Sequence, residues 1–520
     1  MNRTAPYPSV LDKLARKPAS QTRALPAALF FSLLFVFQLV FIFQGADLGD
    51  SGSYANFYQQ IFNNPESVEY SFMFWLSGFL GGLYLKLFPA LGILGIRIAG
   101  VAISTATAGL AYRLLRRHLN RGILQLSLFV VVLMINNNPK EFYYNNLSAF
   151  LYVATAALLY RGLRQQRSAW IFFSGGLVAL NIFNRTPNLL ELGISSGIFV
   201  YGWLFAISVK TQLRQFLAFL LGVILFTAGT LAVMQFTGQL TYFLNSLKVV
   251  MAMGKSSKQT DGMASNYGIL NLLKLLYGQY KDCFIGGLAY FCFIFIILPL
   301  INLVRSRYPF VPVKVVLSKP VLISLLLLMI ISGEVNYLGF LHFFTGVCLL
   351  AVGWIFIFNK NRDTSFLLYL GVYILIIHPM GSSTGIDTVI IYSFWIAFPI
   401  VLEHLASVSR TDLLLKASAK SGDLDSRFSI SPAQLGQAKR ISLALLIFAA
   451  IYYSYYYPYF DKAGRSAMRY PIHNPHMRGI YTSKARADAL NELLDASARF
   501  VKPGDYVLAY DCIPLYHYLT

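Results

Sequence analysis

The chain has 520 residues, of which 56% are hydrophobic and only 12% are charged. A soluble domain carries about a quarter charged residues, so this composition excludes an ordinary soluble protein. The net charge of +21 would suggest nucleic acid in a soluble protein, but in a membrane protein basic loops facing anionic lipid explain it. The sequence has no zinc-finger, helix-turn-helix or suitable glycine-rich nucleotide pattern, so we expect no nucleic-acid partner.

Apolar runs of about twenty residues recur along the chain and predict an all-α polytopic membrane protein in a lipid bilayer. We predict about 13 transmembrane helices, at 25–43, 91–115, 122–135, 148–160, 170–183, 188–209, 216–234, 283–304, 320–333, 338–357, 366–378, 389–405 and 441–457. Lys and Arg concentrate in alternate loops, and the positive-inside rule makes those loops cytoplasmic. The chain then divides into a cytoplasmic segment (1–24), a transmembrane domain (25–457) and an extracytoplasmic tail (458–520).

The apolar run 71–88 is a special case. If it crossed the membrane, the basic stretch after Leu115 would lie outside, against the positive-inside rule. We therefore interpret it as a juxtamembrane or re-entrant helix on the outer side, within an outer loop that covers 44–90. The same register makes 235–282 an outer loop, although it is rich in lysine.

The tail is predicted to be a small α/β unit. It contains an amphipathic helix with Leu490, Leu493 and Leu494 on one face. A turn at 502–505 and a short strand over 506–510 follow.

Two carboxylates, Asp47 and Asp50, follow the first apolar run. A carboxylate in a loop at the membrane boundary can act as a general base for a hydroxyl or as a metal ligand. It can equally solvate or cap a helix, and Asp50 is suitably placed to cap a helix that begins near Ser53. The residue types alone leave these alternatives open.

The order of features around these acids resembles the GT-C glycosyltransferases, which use polyprenyl-phosphate sugars. Asp50 is followed by Tyr54, then by an outer helix rich in Phe and Trp, a Leu-Phe-Pro break at 87–89, and Arg97 at the start of the next span. The layout is most similar to lipid A aminoarabinose transferases and protein O-mannosyltransferases. The resemblance implies that Asp50 is the catalytic base, with Asp47 as second choice and Tyr54 beside the substrate.

Two later stretches are also similar to that family, 143–163 and the arginine-containing turn 181–194. Transfer from a polyprenyl phosphate needs cations near the departing phosphate as well as a base. The candidate substrate-binding residues are Lys140, Glu141, Arg185, Lys255 and Lys258.

Each of these has a structural alternative. Arg185 could contact lipid headgroups, Glu141 could pair with the adjacent Lys140, and Lys255 and Lys258 could lie in a solvated loop. Ser51 stands where the family often has Glu, which leaves a divalent cation open as a cofactor. No cysteine pair has metal-ligand spacing, so no metal ligand is assigned.

The sequence thus predicts an integral membrane enzyme that transfers a sugar, with inversion, from a polyprenyl phosphate to a lipid, glycan or protein acceptor on the extracytoplasmic side. A transporter or flippase of lipid-linked saccharide is the first alternative, but it needs ionisable residues inside the spans. A catalytically degenerate scaffold is the second alternative. The compact loops favour a bacterial inner membrane.

Overall fold

The structure, a computed structural model, describes residues 24–135, 140–256, 269–292, 337–358, 361–407, 463–502 and 513–520, with a few isolated positions between them. The chain is mostly helical. The α-helices before the tail are α1 (Ala27–Leu39), α2 (Asp50–Gln60), α3 (Trp75–Leu87), α4 (Gly92–Leu115), α5 (Arg121–Ile135), α6 (Tyr144–Gln165), α7 (Ser168–Asn184), α8 (Ser196–Phe205), α9 (Val209–Phe236), α10 (Leu240–Ser256), α11 (Ile269–Cys292), α12 (Tyr337–Phe358), α13 (Arg362–Ile377), α14 (Ile386–Val389) and α15 (Phe394–Ser407). Short 3-10 helices cover Pro65–Phe74, Pro89–Leu91, Thr186–Ser195 and Ile390–Ser393.

The helices overlap many of the predicted spans. Within the described ranges, four segments are long and apolar enough to cross a membrane by length and composition: Pro89–Leu115, Thr186–Phe205, Val209–Phe236 and Ile386–His404. A mostly helical membrane protein is therefore supported, while the total of about 13 spans and their sidedness stay predictions. The predicted span 320–333, and most of 441–457, lie outside the described residues.

The stretch 235–282, which was predicted to be an outer loop, is largely helical in its described part, and its position relative to the membrane stays a prediction. Most of this stretch belongs to α10 and to the first part of α11. Apolar residues recur every three or four positions in α10, which gives it an amphipathic pattern despite its lysines. Phe243 is buried, and Asn245 donates a hydrogen bond of 2.7 Å to Glu69 in the 3-10 helix before α3.

The run 71–88 forms the end of a 3-10 helix and then α3, which has 13 residues. A helix of that length is about 20 Å long, shorter than the roughly 30 Å hydrocarbon core. Three glycines of α3 face α2: a Cβ at Gly78 would meet Phe57, one at Gly81 would meet Tyr58, and one at Gly82 would meet Ile61. Because these positions lack a side chain, the two helices approach closely.

The tail folds back onto the segment between α1 and α2. Its elements are a 3-10 turn (Arg465–Ala467), β1 (Tyr470–Pro471), a second 3-10 turn (Pro475–Met477), β2 (Tyr481–Thr482), α16 (Lys484–Phe500) and α17 (Pro514–Leu519). The two strands pair antiparallel. Tyr481 also exchanges backbone hydrogen bonds of 2.8 Å with Phe43 and Gly45. The first segment and the tail therefore share one hydrophobic core, distinct from the core inside the helical bundle.

The predicted amphipathic tail helix is present as α16, with Leu490 buried and Leu493 36% exposed. Of the strand predicted over 506–510, all but position 507 lies outside the described residues.

Gly52 offers a test of how the tail docks. A Cβ at Gly52 would lie 2.1 Å from the backbone nitrogen of Leu515, so Gly52→Ala must displace α17 from α2. We expect this overpacking to lower the free energy of unfolding by about 1–3 kcal/mol. The measurement is thermal unfolding in detergent, together with the rate of tail proteolysis.

Gly109→Ala is the matched control, because a Cβ there would meet nothing within 4 Å. Equal unfolding temperatures for the two variants would contradict the described docking of α17.

Candidate functional site

Asp47 caps the start of α2. Its Oδ1 accepts a hydrogen bond from the Gly49 amide (3.0 Å) and its Oδ2 accepts one from the Ser51 amide (2.7 Å). The side chain is buried, and desolvation raises the pKa of Asp47 to about 6, with nearby Asp50 and Glu141 adding to the rise. Both carboxylate oxygens are thus used to hold the turn in front of the helix.

Asp50 lies in the first turn of α2 and is exposed. The capping role that the sequence offered to Asp50 belongs to Asp47, because the helix begins at Asp50 itself and not near Ser53. Tyr54 follows four residues later, so it lies on the same side of the helix as Asp50, and it is half-buried. A carboxylate and a tyrosine therefore lie one turn apart on α2.

Tyr54 belongs to an aromatic cluster that connects α2 with α6. Its ring stacks on Tyr143 with centroids 4.9 Å apart and meets Tyr144 edge-on at 5.7 Å. Phe74 stacks on the Tyr144 ring, with the two ring centroids 4.1 Å apart. The Tyr143 hydroxyl donates a hydrogen bond of 2.6 Å to the Tyr392 hydroxyl, which fixes the cluster against the 3-10 helix before α15.

Arg185 lies at the far side of this cluster. It ends α7, and its guanidinium carbon is 5.9 Å from the centre of the Tyr144 ring. The guanidinium is almost fully buried, and the one hydrogen bond that it donates within the described part of the chain goes to the His378 carbonyl (2.7 Å). Tyr144 therefore stands between the helix that bears Asp50 and a buried cation.

Glu141 forms an ion pair with Arg97 and not with its neighbour Lys140. The Arg97 Nε and Glu141 Oε1 atoms are 2.7 Å apart, and both side chains are buried. Arg97 also donates hydrogen bonds to the carbonyls of Ile42, Gln44 and Gly45 at 2.8–3.2 Å. The pair thus fixes the C-terminal end of α1 to the start of α4.

Lys140 lies beneath the same segment. Its Nζ donates a hydrogen bond of 2.8 Å to the Gln38 carbonyl of α1. Burial lowers the pKa of Lys140 to about 7, and the nearby charges of Arg465 and Arg97 act in the same direction. Lys140 is engaged with α1, whereas Arg185 lies beside Tyr144.

The structure does not show the side chains of the other two predicted substrate-binding lysines, Lys255 and Lys258. Lys258 lies outside the described residues, and Lys255 falls in the last turn of α10, where the structure describes the backbone alone. Their proposed part in substrate binding stays a prediction.

The acids around the first segment do not fit a shared metal ion. Asp47 uses both oxygens on backbone amides, and Glu141 uses one on Arg97. Within the described part of the chain, no group of three or more His, Cys, Asp or Glu residues could hold a metal. We therefore derive no step that passes through a metal.

Sequence reasoning missed a buried polar network behind Arg185. It contains Glu191, which is 0% exposed, together with Asn181 and Asn188. Glu191 lies in the apolar run predicted as the span 188–209, so the expectation that spans carry almost no ionisable residues overlooked it. The sequence did contain a signal for it: an ionisable residue in an apolar segment is energetically costly and therefore usually has a specific role.

The fold can be compared with known proteins at this point. No protein-family model matches the sequence, and no curated protein does. The chain is similar to an archaeal oligosaccharyltransferase. To its apo form from Archaeoglobus fulgidus the identity is 12% and the TM-score 0.48, over 95% of this chain and 63% of that one.

Two further structures of that protein are similar. One is a complex with zinc and sulfate, at 12% identity and a TM-score of 0.46, over 92% of this chain and 58% of that one. The other is tethered to an acceptor peptide, at 13% identity and a TM-score of 0.46, over 95% of this chain and 63% of that one. The chain thus spans about three fifths of these proteins. Identities of 12–13% and TM-scores below 0.5 assign neither a family nor an activity to this chain.

The pair of Arg97 and Glu141 gives a stability prediction. Arg97→Met leaves Glu141 buried without its partner, and we expect the free energy of unfolding to fall by about 3–5 kcal/mol. Thermal unfolding in detergent measures this, with Arg113→Met as the control because Arg113 is exposed on the same helix.

Adding Glu141→Leu should recover part of the loss, since the double variant no longer buries an unpaired charge. A single variant as stable as the Arg113→Met control would show that the pair does not hold the segment.

Asp47 gives a pH prediction. Its pKa is higher in the folded chain (about 6) than the usual 3.8, so the folded state binds more protons between those values. Its contribution to stability is therefore most favourable at low pH and is lost as the pH rises from about 4 to about 6.

We expect the stability of Asp47→Asn relative to wild type to increase by on the order of 2 kcal/mol over that interval. Unfolding temperatures at pH 4.5 and pH 7 test this, with Asp488→Asn on the exposed face of α16 as the control. A pH-independent difference between Asp47→Asn and wild type would be inconsistent with a raised pKa.

Proposed function

We propose that this protein is a membrane glycosyltransferase of the GT-C type, which moves a sugar from a polyprenyl-phosphate donor to an acceptor. The observation that supports the proposal best is the sequence of contacts from α2 through Tyr54 and Tyr144 to Arg185. It gives one site an exposed carboxylate, an aromatic wall and a buried guanidinium.

Asp50 is the proposed general base. Transfer to a hydroxyl or amide acceptor needs a group that removes a proton as the new glycosidic bond forms. Asp50 is exposed at the start of α2, so an acceptor can reach it. Direct displacement of the phosphate by the acceptor inverts the configuration of the sugar.

Asp47 has a different role in this proposal. Because both of its oxygens accept backbone amides, it is a positioning residue that fixes the first turn of α2. It also keeps a second negative charge near Asp50, which makes proton uptake by Asp50 easier.

Arg185 is the proposed partner of the departing phosphate. A guanidinium carries five N–H donors in a fork that matches phosphate oxygens, and His378 takes one of them. Phosphate leaves as an anion, so a fixed cation at this position favours the transition state and no proton donor is needed. Tyr54 and Tyr144 provide flat apolar faces against which a sugar ring can pack.

The direction of transfer and the acceptor belong to the same proposal. We place the reaction on the extracytoplasmic side of a bacterial inner membrane, with the tail on that side. One solved neighbour is a complex with an inhibitory peptide and a dolichol-phosphate, and another is tethered to an acceptor peptide, which makes a lipid phosphate and a peptide reasonable first substrates to test.

Transfer by the purified protein in nanodiscs tests the proposal. Radiolabelled polyprenyl-phosphate sugars are offered with a membrane extract as acceptor. We expect Asp50→Asn to reduce transfer by about 10²–10⁴-fold, because the base is lost. Arg185→Lys should weaken transfer less than Arg185→Met, since lysine keeps the charge but not the fork.

Asp488→Asn serves as the matched control, because it removes a carboxylate from an exposed position of the tail helix. Full transfer by Asp50→Asn together with loss in Asp47→Asn would move the base to Asp47. Lipid-linked sugar that crosses the vesicle membrane without covalent transfer would instead support the transporter.

A further inference from the structure

Glu191 is the most unusual ionisable residue in the described part of the bundle. It is fully buried in the segment Thr186–Phe205, which is apolar enough to cross a membrane. No Lys, Arg or His of the described ranges forms an ion pair with it. A buried carboxyl group without a cation is costly, so its hydrogen bonds to neighbouring residues matter.

One side-chain amide directly contacts this carboxyl group. The Asn181 Nδ2 donates a hydrogen bond of 2.7 Å to Glu191 Oε2, and the Thr155 hydroxyl lies nearby, while Oε1 accepts no hydrogen bond within the described residues. With its Nδ2 directed at Glu191, Asn181 must direct its Oδ1 the other way. There Oδ1 accepts a hydrogen bond of 2.8 Å from Asn188 Nδ2.

The orientation of Asn188 follows in the same way. Its Nδ2 also donates to the Ser148 hydroxyl (2.7 Å), and its Oδ1 accepts from the Tyr152 hydroxyl (3.0 Å). The Tyr152 ring lies 4.9 Å from the His378 ring, and the His378 carbonyl accepts the hydrogen bond from Arg185. Three hydrogen bonds therefore lead from Glu191 to Tyr152, and the contact between the Tyr152 and His378 rings continues this path to the residue that accepts the hydrogen bond from Arg185.

The backbone around Arg185 is fixed by the same residues. The Arg185 amide donates to the Asn181 carbonyl (3.1 Å), and the Asn188 amide donates to the Arg185 carbonyl (2.8 Å). Asn184 donates to the Tyr144 carbonyl (2.8 Å), which joins the turn to the aromatic cluster. The network thus holds both the turn that carries Arg185 and the ring that it faces.

We propose that Glu191 is a positioning residue for Arg185: it orients the Asn181 and Asn188 amides, and through them the guanidinium that binds the donor phosphate. This inference rests on the proposed function for the phosphate, but the connection between Glu191 and Arg185 can be tested without it. Glu191 itself does not touch the substrate.

Two substitutions distinguish this role from simple packing. Glu191→Gln keeps an acceptor for Asn181, and its own amide can donate to the Thr155 hydroxyl, so the orientation of the network survives. Glu191→Leu fills similar space but offers no acceptor, so the Asn181 amide loses its fixed direction. The two variants should therefore differ sharply in a property that depends on Arg185.

The experiment measures binding of a radiolabelled polyprenyl monophosphate to the full-length protein in detergent. We expect Glu191→Leu to weaken binding about tenfold and Glu191→Gln to change it less than about twofold. In the Arg185→Met background, Glu191→Leu should have no further effect, because the group that it positions is gone. Unfolding temperatures of all variants are measured in parallel.

The positioning role would be overturned if Glu191→Leu weakened binding equally in the wild-type and Arg185→Met backgrounds. It would also be overturned if Glu191→Gln weakened binding as much as Glu191→Leu. If the wild type binds no polyprenyl phosphate, the proposed function fails, and the unfolding temperatures decide the inference instead. Non-additive effects of Glu191→Leu and Arg185→Met on unfolding would then support the connection, and additive effects would refute it.

Discussion

The candidate site depends first on the buried ion pair of Arg97 and Glu141. One guanidinium neutralises a carboxylate and satisfies three carbonyls just beyond the C-terminal end of α1. Those carbonyls follow the end of α1, and buried carbonyls beyond a helix end need donors from elsewhere in the chain. By fixing the segment that contains these carbonyls, the pair also fixes the position of Asp47, which comes shortly after it. Asp47 in turn holds the first turn of α2, where Asp50 lies.

The tail completes the same arrangement from the other end of the chain. Arg486 donates a hydrogen bond to the Ala46 carbonyl, and Leu515 donates its amide to the Leu48 carbonyl (3.1 Å). The segment that carries the two acids is therefore held on one side by Arg97 and on the other by residues more than 400 positions away. The segment that precedes α2 is thus held in place from both ends of the chain, while Asp50 at the start of α2 is exposed.

The charged groups around the candidate site differ in burial and in the contacts that they make. Asp47, Lys140 and Glu141 are all candidates by residue type, yet each is engaged with backbone or with another charge. Asp50 is exposed, and Arg185 is buried with a single described acceptor. Asp47 uses both carboxylate oxygens and Glu141 uses one, so a metal ion shared by these two acids would have to compete with those contacts.

The sequence by itself determined the membrane class and most helix positions, because these depend on apolar runs. Asp50, Tyr54 and Arg185 were proposed from a resemblance in the local order of residues, and their roles stay predictions. Only the tertiary structure decided which acid caps α2, that Glu141 pairs with Arg97, and that Glu191 connects to Arg185. Arg97 and Glu141 are distant in sequence, and Asp47 and Asp50 are near in sequence but differ in burial. The role of a charged side chain depends on its three-dimensional contacts, which a local sequence pattern does not specify.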